Sequence, residues 1–494
     1  MTKAARARTF GAALAWLAMS TACNVGPKYR TPAVPAPPVF TEAPPEAFTE
    51  SKDWKAATPG DAGAKGRWWE AFQDVDLNAL EEQIDVTNQS LKSAEARFQQ
   101  ARAMVRERRA ARLPAVGAGA SIAHERTSAN RAVPVPPSEN PAGDFNLGFQ
   151  ASWEPDLWGR IRNQVAASVQ SAQAVAADLE NARLSLHAEL ALDYFDLRSL
   201  DEERRILESA VAAYQKALEL TENRYQGGAA NRAEVAEART QLESTSAQAI
   251  DLTELRAQYE HAIAVLTGRP PEGFTLAAKA GPVMLPAIPV GVPSALLERR
   301  PDIAGAERRV AAANSEVGFA RAAFYPQVVL AAAVGLEGSS ITNWLNWPAR
   351  LWAIGPSAAQ TLFDAGRRRA VLQESTANYD ALVADYRENV LAAFQQVEDH
   401  LASLRILEDE AGRQQRAVES ARESEGLSFN RYKGGLVTYL EVVTAQSIRL
   451  ENERAAVHIE RRRLEASVML IRALGGGWNA SSLPQASVLN SKGN

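Results

Sequence analysis

Residues 160–226 read RIRNQVAASVQSAQAVAADLENARLSLHAELALDYFDLRSLDEERRILESAVAAYQKALELTENRYQ, sixty-seven positions without glycine or proline. Because these two residue types interrupt helices, the stretch predicts one helix of roughly 100 Å at about 1.5 Å rise per residue. Helices of globular proteins average only about 10–14 residues. The stretch therefore predicts a helix that reaches across an extended structure.

The same arrangement recurs later in the chain. Residues 224–228 (RYQGG) and 431–435 (RYKGG) are offset by 431 − 224 = 207, and the same offset relates Glu234 to Glu441. Similarity at a fixed offset is the signature of an internal duplication. We therefore expect two similar halves, each built as helix, β-hairpin, very long helix, tight turn and returning helix. Heptad-like spacing of apolar residues predicts that the helices pack side by side.

Strand-like segments follow the first helix of each half. Residues 145–154 alternate strictly between apolar and polar or small side chains. Alternation over about ten residues is what a tilted membrane-spanning strand requires. We expect lipid-facing and lumen-facing positions as follows: Phe149 and Trp153 toward lipid, and Asn146, Gln150 and Glu154 toward the lumen. Taken alone, the pattern also fits a strand of a soluble sandwich.

Four predicted strands are too few to close a barrel, which needs about eight. In lipid, the open edges of a sheet leave backbone groups without hydrogen-bond partners, so closure is required. Copies of the chain must then share one barrel, two copies giving eight strands and three giving twelve. The fold is therefore expected to be mainly α with membrane β, the helices continuing the barrel as a tube.

The N-terminus has the features of an export signal. Basic residues precede the apolar residues 10–19, and small residues lead to Cys23, the only cysteine of the chain. We expect Cys23 to be lipidated and to become the first mature residue. A plain secretory signal with an incidental cysteine is the alternative.

Composition changes and glycine or proline positions predict the boundaries along the chain. Helical periodicity runs without a break from residue 76 to residue 112. The expected segments are: signal peptide 1–22; extended proline-rich segment 23–75; first repeat 76–268, with strands at about 115–125 and 145–156 and helices 160–226 and 229–267; linker 269–293; second repeat 294–474, with strands at about 326–337 and 350–363 and helices 367–433 and 436–474; and tail 475–494.

Several short motifs on this duplicated frame carry a family resemblance. They are CNVGPKY at 23–29, LLERRPDI at 296–303, LFDAGR at 362–367 and YKGGLVTYLEVVTAQ at 432–446. Over essentially the whole mature chain, the sequence resembles TolC-like outer-membrane factors of the NodT/OprM lipoprotein type. The resemblance implies a homotrimer that forms one 12-stranded outer-membrane β-barrel, continued by a periplasmic α-helical barrel. It also implies a lipid-anchored exit duct for drugs or other toxic small molecules, joined through a periplasmic adaptor protein to an inner-membrane pump of the RND type.

The resemblance also assigns a gate. Glu441 matches the acidic gate residue that follows the family's tip motif, and Tyr432 would help to hold the tip closed. The corresponding residues of the first half are Glu234 and Tyr225. Three carboxylates around one narrow axis would repel one another and attract cations. An ordinary solvated glutamate on a helix surface is the alternative for Glu441.

The two predicted helical tips contain Gly227-Gly228 and Gly434-Gly435. We expect these turns, each flanked by an exposed Arg-Tyr pair, to contact the adaptor. A simple tight connection between two helices is the alternative.

Other classes of protein are less well supported. A periplasmic adaptor lipoprotein would carry one helical hairpin between β domains rather than two copies. No zinc-protease, nucleophile-elbow or P-loop motif is present, so we expect neither an enzyme nor a cofactor. Metal-ion efflux is a second alternative, but the five histidines and five methionines are scattered, and we expect no metal site. The net charge of −5 without a basic block argues against nucleic-acid binding.

Overall fold

The computed structural model describes residues 24–34, 36–37, 39–42, 66–128, 130, 132, 141–288 and 293–489. Cys23, the predicted lipidation site, and the predicted signal peptide lie outside these described residues.

Each half contains a short helix, a β-hairpin, a very long helix and a returning helix. The helices are α1 (Val75–Thr87), α2 (Gln89–Ala110), α3 (Arg160–Gln226), α4 (Arg232–Leu266), α5 (Pro301–Ala322), α6 (Arg367–Lys433) and α7 (Tyr439–Ala473). The strands are β1 (Ala115–Glu125), β2 (Ala142–Trp153), β3 (Gln327–Gly338) and β4 (Arg350–Ala359). Corresponding helices have equal lengths: 22 residues for α2 and α5, 67 for α3 and α6, and 35 for α4 and α7. The duplication seen in the sequence is therefore also a duplication of structure.

Glycine allows the chain to turn into each of the two long helices. Gly159 and Gly366 precede α3 and α6 with φ of 80° and 88°, in the left-handed region that costs glycine little. An aspartate shortly before each glycine accepts hydrogen bonds from the first turn. The Asp156 carboxylate accepts from the Arg162 amide at 2.8 Å, and the Asp364 carboxylate accepts from the Arg368 amide at 3.2 Å.

The predicted continuous helix over residues 76–112 is wrong, because the structure breaks it at Asn88. Asn88 has an extended backbone (φ −61°, ψ 125°), and its side chain caps α2 by accepting from the Leu91 amide at 2.9 Å. The side-chain nitrogen Nδ2 of Asn88 also donates to the Leu266 carbonyl at 2.8 Å. Asparagine can thus end one helix and start the next without glycine or proline.

The returning helices begin three residues later than predicted, at Arg232 and Tyr439 rather than at 229 and 436. The residues before them complete the turn, since the Ala229 amide donates to the Arg224 carbonyl at 2.8 Å and Asn231 is the extended N-cap. Several strand ends also differ from the expected ones. β2 begins at 142 and ends at 153, β3 is shifted by one residue, and β4 ends at 359. β4 ends at Ala359 because this residue is paired with Gln327, the first residue of β3.

The main hydrophobic core lies where the short helices pack on the long ones. Trp69 stacks on the buried His187 of α3 with 4.4 Å between ring centroids. The Nδ1 atom of His187 lies 2.7 Å from a carboxylate oxygen of Glu81 in α1. Burial raises the pKa of Glu81 to about 7. This buried pair joins α1 to α3. In the described part of the chain, no helix is both long enough and apolar enough to cross a bilayer.

The four strands form one antiparallel sheet in the order β1-β2-β3-β4. The two hairpins of the duplicated halves therefore lie side by side, joined between β2 and β3. β1 and β4 remain as open edges.

Candidate functional site

The sheet has one almost wholly apolar face, because directly paired residues of antiparallel strands point to the same side. One cross-strand row consists of Ala118, Phe149, Val334 and Trp352. Phe149 and Trp352 are 59% and 76% exposed. We call this side the apolar face; its apolar residues are Val116, Ala118, Ala120, Ile122, Phe145, Leu147, Phe149, Ala151, Trp153, Val328, Leu330, Ala332, Val334, Leu336, Trp352, Ile354, Pro356 and Ala358, and His124 and Arg350 lie at its end remote from the helices. A face of this composition suits the hydrocarbon of a bilayer.

The opposite face of the sheet is small or polar, with Val329 and Leu351 as exceptions. We call it the polar face; it includes Gly117, Gly119, Ser121, Glu125, Asp144, Asn146, Gly148, Gln150, Ser152, Glu337, Gly355 and Ser357. Asn146 and Gln150 are thus placed opposite to Phe149 and Trp153. Glu154 follows β2 and accepts two hydrogen bonds from the Arg160 guanidinium at 2.8 and 2.6 Å. A sheet with these two faces can separate lipid from water.

The two Gly-Gly tips have nearly the same backbone geometry. Gly228 and Gly435 have φ of 74° and 73°, and their amides donate to the Tyr225 and Tyr432 carbonyls at 3.0 and 2.9 Å. A Cβ atom added at either glycine would meet no atom within 4 Å. Gly227 and Gly434 precede them at negative φ and end α3 and α6. Both turns therefore need glycine for their backbone and leave open space beside it.

Tyr432 is fully buried and joins the two helical hairpins. Its hydroxyl lies 3.1 Å from Thr221 Oγ1 of α3. Arg224, also in α3, donates to the Tyr432 carbonyl at 2.5 Å, and its guanidinium carbon lies 4.4 Å from the centre of the tyrosine ring. Tyr439 packs on the same ring at 5.4 Å between centroids. We call Thr221, Arg224, Tyr432 and Tyr439 the tip latch.

The prediction of an exposed Arg-Tyr pair at each tip is wrong. In the first tip Tyr225 is 46% exposed while Arg224 is half-buried against Tyr432. In the second tip Arg431 is exposed while Tyr432 is 0% exposed. The two halves lie next to each other, so the tyrosine of the second half faces the first half. Each tip therefore exposes only one member of its pair.

The two predicted acidic gate residues have different surroundings. Glu234 and Asn231 form a reciprocal cap: the Glu234 amide donates to Asn231 Oδ1 at 3.0 Å, and Asn231 Nδ2 donates to Glu234 Oε1 at 3.2 Å. Glu441 occupies the same helical position, but Thr438 before it makes no side-chain cap. The exposed Glu441 carboxylate instead lies 3.7 Å from Arg431 Nη1. An exposed ion pair of this kind contributes little stability, so Glu441 remains available to ions or to other chains.

The structure brings together residues that sequence reasoning did not select. Thr221, Arg224 and Tyr439 contact Tyr432, whereas no hydrogen bond or ion pair joins Tyr432 to Glu441 among the described residues. The repeated RYQGG motif contains Arg224 and could have indicated it. Nothing local in the sequence indicates Thr221. Among the described residues, no group of three or more His, Cys, Asp or Glu side chains could hold a metal ion.

Two long helical hairpins on an amphipathic four-stranded sheet define a channel protein of the outer-membrane efflux type. Comparisons with known proteins agree. A family model described as "Outer membrane efflux protein" matches residues 80–269 and 292–476. The pyoverdine export outer membrane protein OpmQ of Pseudomonas putida is 32% identical over 454 residues, which cover 91% of this chain and 95% of the relative. The toluene efflux pump outer membrane protein TtgC of Pseudomonas putida is 29% identical over 475 residues, covering 95% and 96%.

Solved structures show the same similarity. The outer-membrane channel OprN superimposes with a TM-score of 0.82 at 31% identity, covering 92% of this chain and 100% of that chain. VceC from Vibrio cholerae gives a TM-score of 0.79 at 30% identity, covering 83% and 98%. The chain belongs to the outer membrane efflux protein family. It is an outer-membrane channel component of an efflux system and not an enzyme, which confirms the predicted fold class and function.

Proposed function

We propose that three copies of this chain form a passive exit duct for drugs or other toxic small molecules. The duct receives its cargo from an inner-membrane pump of the RND type through a periplasmic adaptor protein. Relatives named for pyoverdine export and toluene efflux support organic molecules as cargo.

The observation that most directly supports a shared barrel is the pair of open edges of the sheet. Among the described residues, β1 and β4 each pair on one side only. In lipid the unpaired backbone groups of both edges need partners, which β4 and β1 of neighbouring copies supply. Three copies of four strands give twelve strands and enclose a lumen lined by the polar face. The 67-residue helices α3 and α6, roughly 100 Å long, continue the lumen across the periplasm.

The second element of the proposal is a gate at the tips. The tip latch connects α3 to α6, so any opening that moves one hairpin away from the other breaks it. Three exposed Glu441 carboxylates around the axis would form an acidic ring that holds cations. Glu441→Ala is expected to weaken block by divalent or trivalent cations in planar bilayers. If Glu441→Ala changes neither the conductance nor the block by these cations, Glu441 is an ordinary solvated surface residue and not part of a gate.

The Gly227-Gly228 and Gly434-Gly435 turns are proposed as the contact surface for the adaptor. The open space beside Gly228 and Gly435 and the position of both turns at the ends of the hairpins support this role.

Cys23 is proposed as the lipid anchor at the outer membrane. The position of the next residue supports it: the Asn24 side-chain oxygen accepts from Asn163 Nδ2 at 2.9 Å, and the Val25 amide donates to the Trp158 carbonyl at 3.3 Å. Trp158 lies between β2 and α3, and Asn163 lies in the first turn of α3, so both are close to the sheet. An acyl chain on Cys23 would therefore start close to the bilayer surface.

Export in a host without its own ducts tests the proposal. The full chain is expressed together with an inner-membrane pump of the RND type and a periplasmic adaptor protein, and efflux of a fluorescent pump substrate is measured. We expect export only when all three proteins are present. Full export by pump and adaptor alone would contradict the proposed function.

A further inference from the structure

At the end of the sheet that is remote from the helices, negative and positive side chains lie on opposite faces. Three carboxylates at this end, Glu125, Asp144 and Glu337, lie on the polar face. Arg350, the first residue of β4, pairs with Leu336 and therefore lies at the rim of the apolar face. A cation at the rim of a lipid-contacting surface lies at the depth of the anionic headgroups and is attracted to them.

Arg350 is held in place and has no carboxylate partner in the described part of the chain. Its Nε donates to the Trp347 carbonyl at 2.6 Å, and its guanidinium carbon lies 3.2 Å from the centre of the Trp347 ring. These contacts occupy one face of the guanidinium and its Nε, and they fix its orientation. Among the described residues no acceptor contacts its two terminal nitrogens, which can therefore donate to an external acceptor. Arginine in this arrangement matches the oxygens of a phosphate in a two-point hydrogen bond.

The surrounding loop has the composition of a membrane interface. Ile341, Leu345 and Trp347 are exposed, Trp347 by 73%. The Trp344 ring packs on Phe145 of the apolar face at 5.7 Å between centroids, and its buried indole N–H has no acceptor in the described structure. Tryptophan with arginine at the edge of an apolar band is typical of the boundary between acyl chains and headgroups.

We propose that Arg350 and Trp347 bind a phosphate group of the phosphorylated glycolipid that forms the outer leaflet of the outer membrane. The arginine donates to the phosphate oxygens, and the apolar loop side chains contact the adjoining acyl chains. A charged side chain near the interface costs only about 0–1 kcal/mol, so this position tolerates an arginine that the middle of the strand would not. The inference rests on the proposed orientation, in which the helices lie on the periplasmic side.

Binding of purified lipids to the full-length protein in detergent tests the proposal. Native mass spectrometry compares bisphosphorylated lipid A, dephosphorylated lipid A and phosphatidylglycerol for wild type, Arg350→Gln and Arg350→Lys. Arg413→Gln, which changes an exposed arginine of α6, is the matched control. We expect about tenfold weaker binding of bisphosphorylated lipid A by Arg350→Gln, an intermediate loss for Arg350→Lys and no change for the control. Dephosphorylated lipid A should bind all variants equally.

Three results would overturn the proposal. They are equal lipid A affinity of wild type and Arg350→Gln, the same loss for phosphatidylglycerol, and full competition by inorganic phosphate at millimolar concentration. The last two would assign the arginine to anionic headgroups in general or to a free-phosphate site. Membrane insertion and drug export of Arg350→Gln are measured separately and should be normal. A failure of lipid binding is thereby distinguished from a failure of the duct itself.

Discussion

Replacing Tyr432 by phenylalanine should open the periplasmic end of the channel. Thr221 has one hydroxyl proton, and it donates this proton to the Ala217 carbonyl at 2.8 Å. Tyr432 is therefore the donor in the 3.1 Å contact with Thr221 Oγ1. Tyr432→Phe removes this single bond and leaves the ring, the Arg224 contacts and the Thr221–Ala217 bond in place. A neutral hydrogen bond contributes about 1 kcal/mol net, so three latches that open together lose about 3 kcal/mol. The ratio of open to closed channels should then rise on the order of 100-fold.

Single-channel recording in planar bilayers without adaptor or pump measures this shift as open probability. Tyr225→Phe is the matched control, since Tyr225 is the corresponding residue of the first half and its hydroxyl makes no hydrogen bond among the described residues. The control should behave as wild type. If Tyr432→Phe has the same open probability as wild type and Tyr225→Phe, the latch does not hold the channel closed.

Three further outcomes are expected. Phe149→Arg places a charge on the apolar face, which costs about 2–4 kcal/mol near the bilayer midplane. It should therefore reduce the amount of heat-resistant oligomer in outer membranes, whereas Gln150→Arg on the polar face should not. Equal amounts of oligomer for both variants would contradict the assignment of the faces. Gly435→Val, at φ 73°, should reduce pump-dependent export while the protein stays in the membrane. Gly426→Ala, which changes a glycine inside α6 where an added Cβ would meet no atom within 4 Å, should export normally. Normal export by Gly435→Val would place adaptor contact elsewhere. Cys23→Ser should abolish labelling with radioactive palmitate while much of the protein still assembles, and a wild-type chain without label would contradict the anchor.

The fold class could be predicted because its signals are local and repeated. The 207-residue offset and the long stretch without glycine or proline are visible in the sequence, and both reflect backbone physics. Alternation in residues 145–154 likewise predicts two unlike faces. The wrong prediction of a continuous helix over residues 76–112 has a different origin, because the break depends on contacts between distant parts of the chain. Asn88 divides a helix by bonding to Leu266, 178 positions away, and a sequence pattern contains no such information.

In the candidate site, too, features set by the local backbone could be predicted, whereas contacts between distant residues could not. Glycines at the tips follow from the turn that they must form, so Gly228 and Gly435 could be selected from the sequence. The burial of Tyr432 could not be predicted, because its partner Thr221 is 211 positions away. Its counterpart Tyr225 also follows an Asn-Arg pair and precedes a Gly-Gly turn, but it is exposed. The two motifs RYQGG and RYKGG have different surroundings because only the tyrosine of the second motif faces the other half of the chain.

The mass of the purified assembly tests the shared barrel most directly. Native mass spectrometry of the full-length protein, released gently from detergent, gives the number of chains in each channel. We expect three copies, which close twelve strands and leave no edge of β1 or β4 in lipid. A two-copy assembly with eight strands, or a stable single chain that conducts in bilayers, would contradict the account.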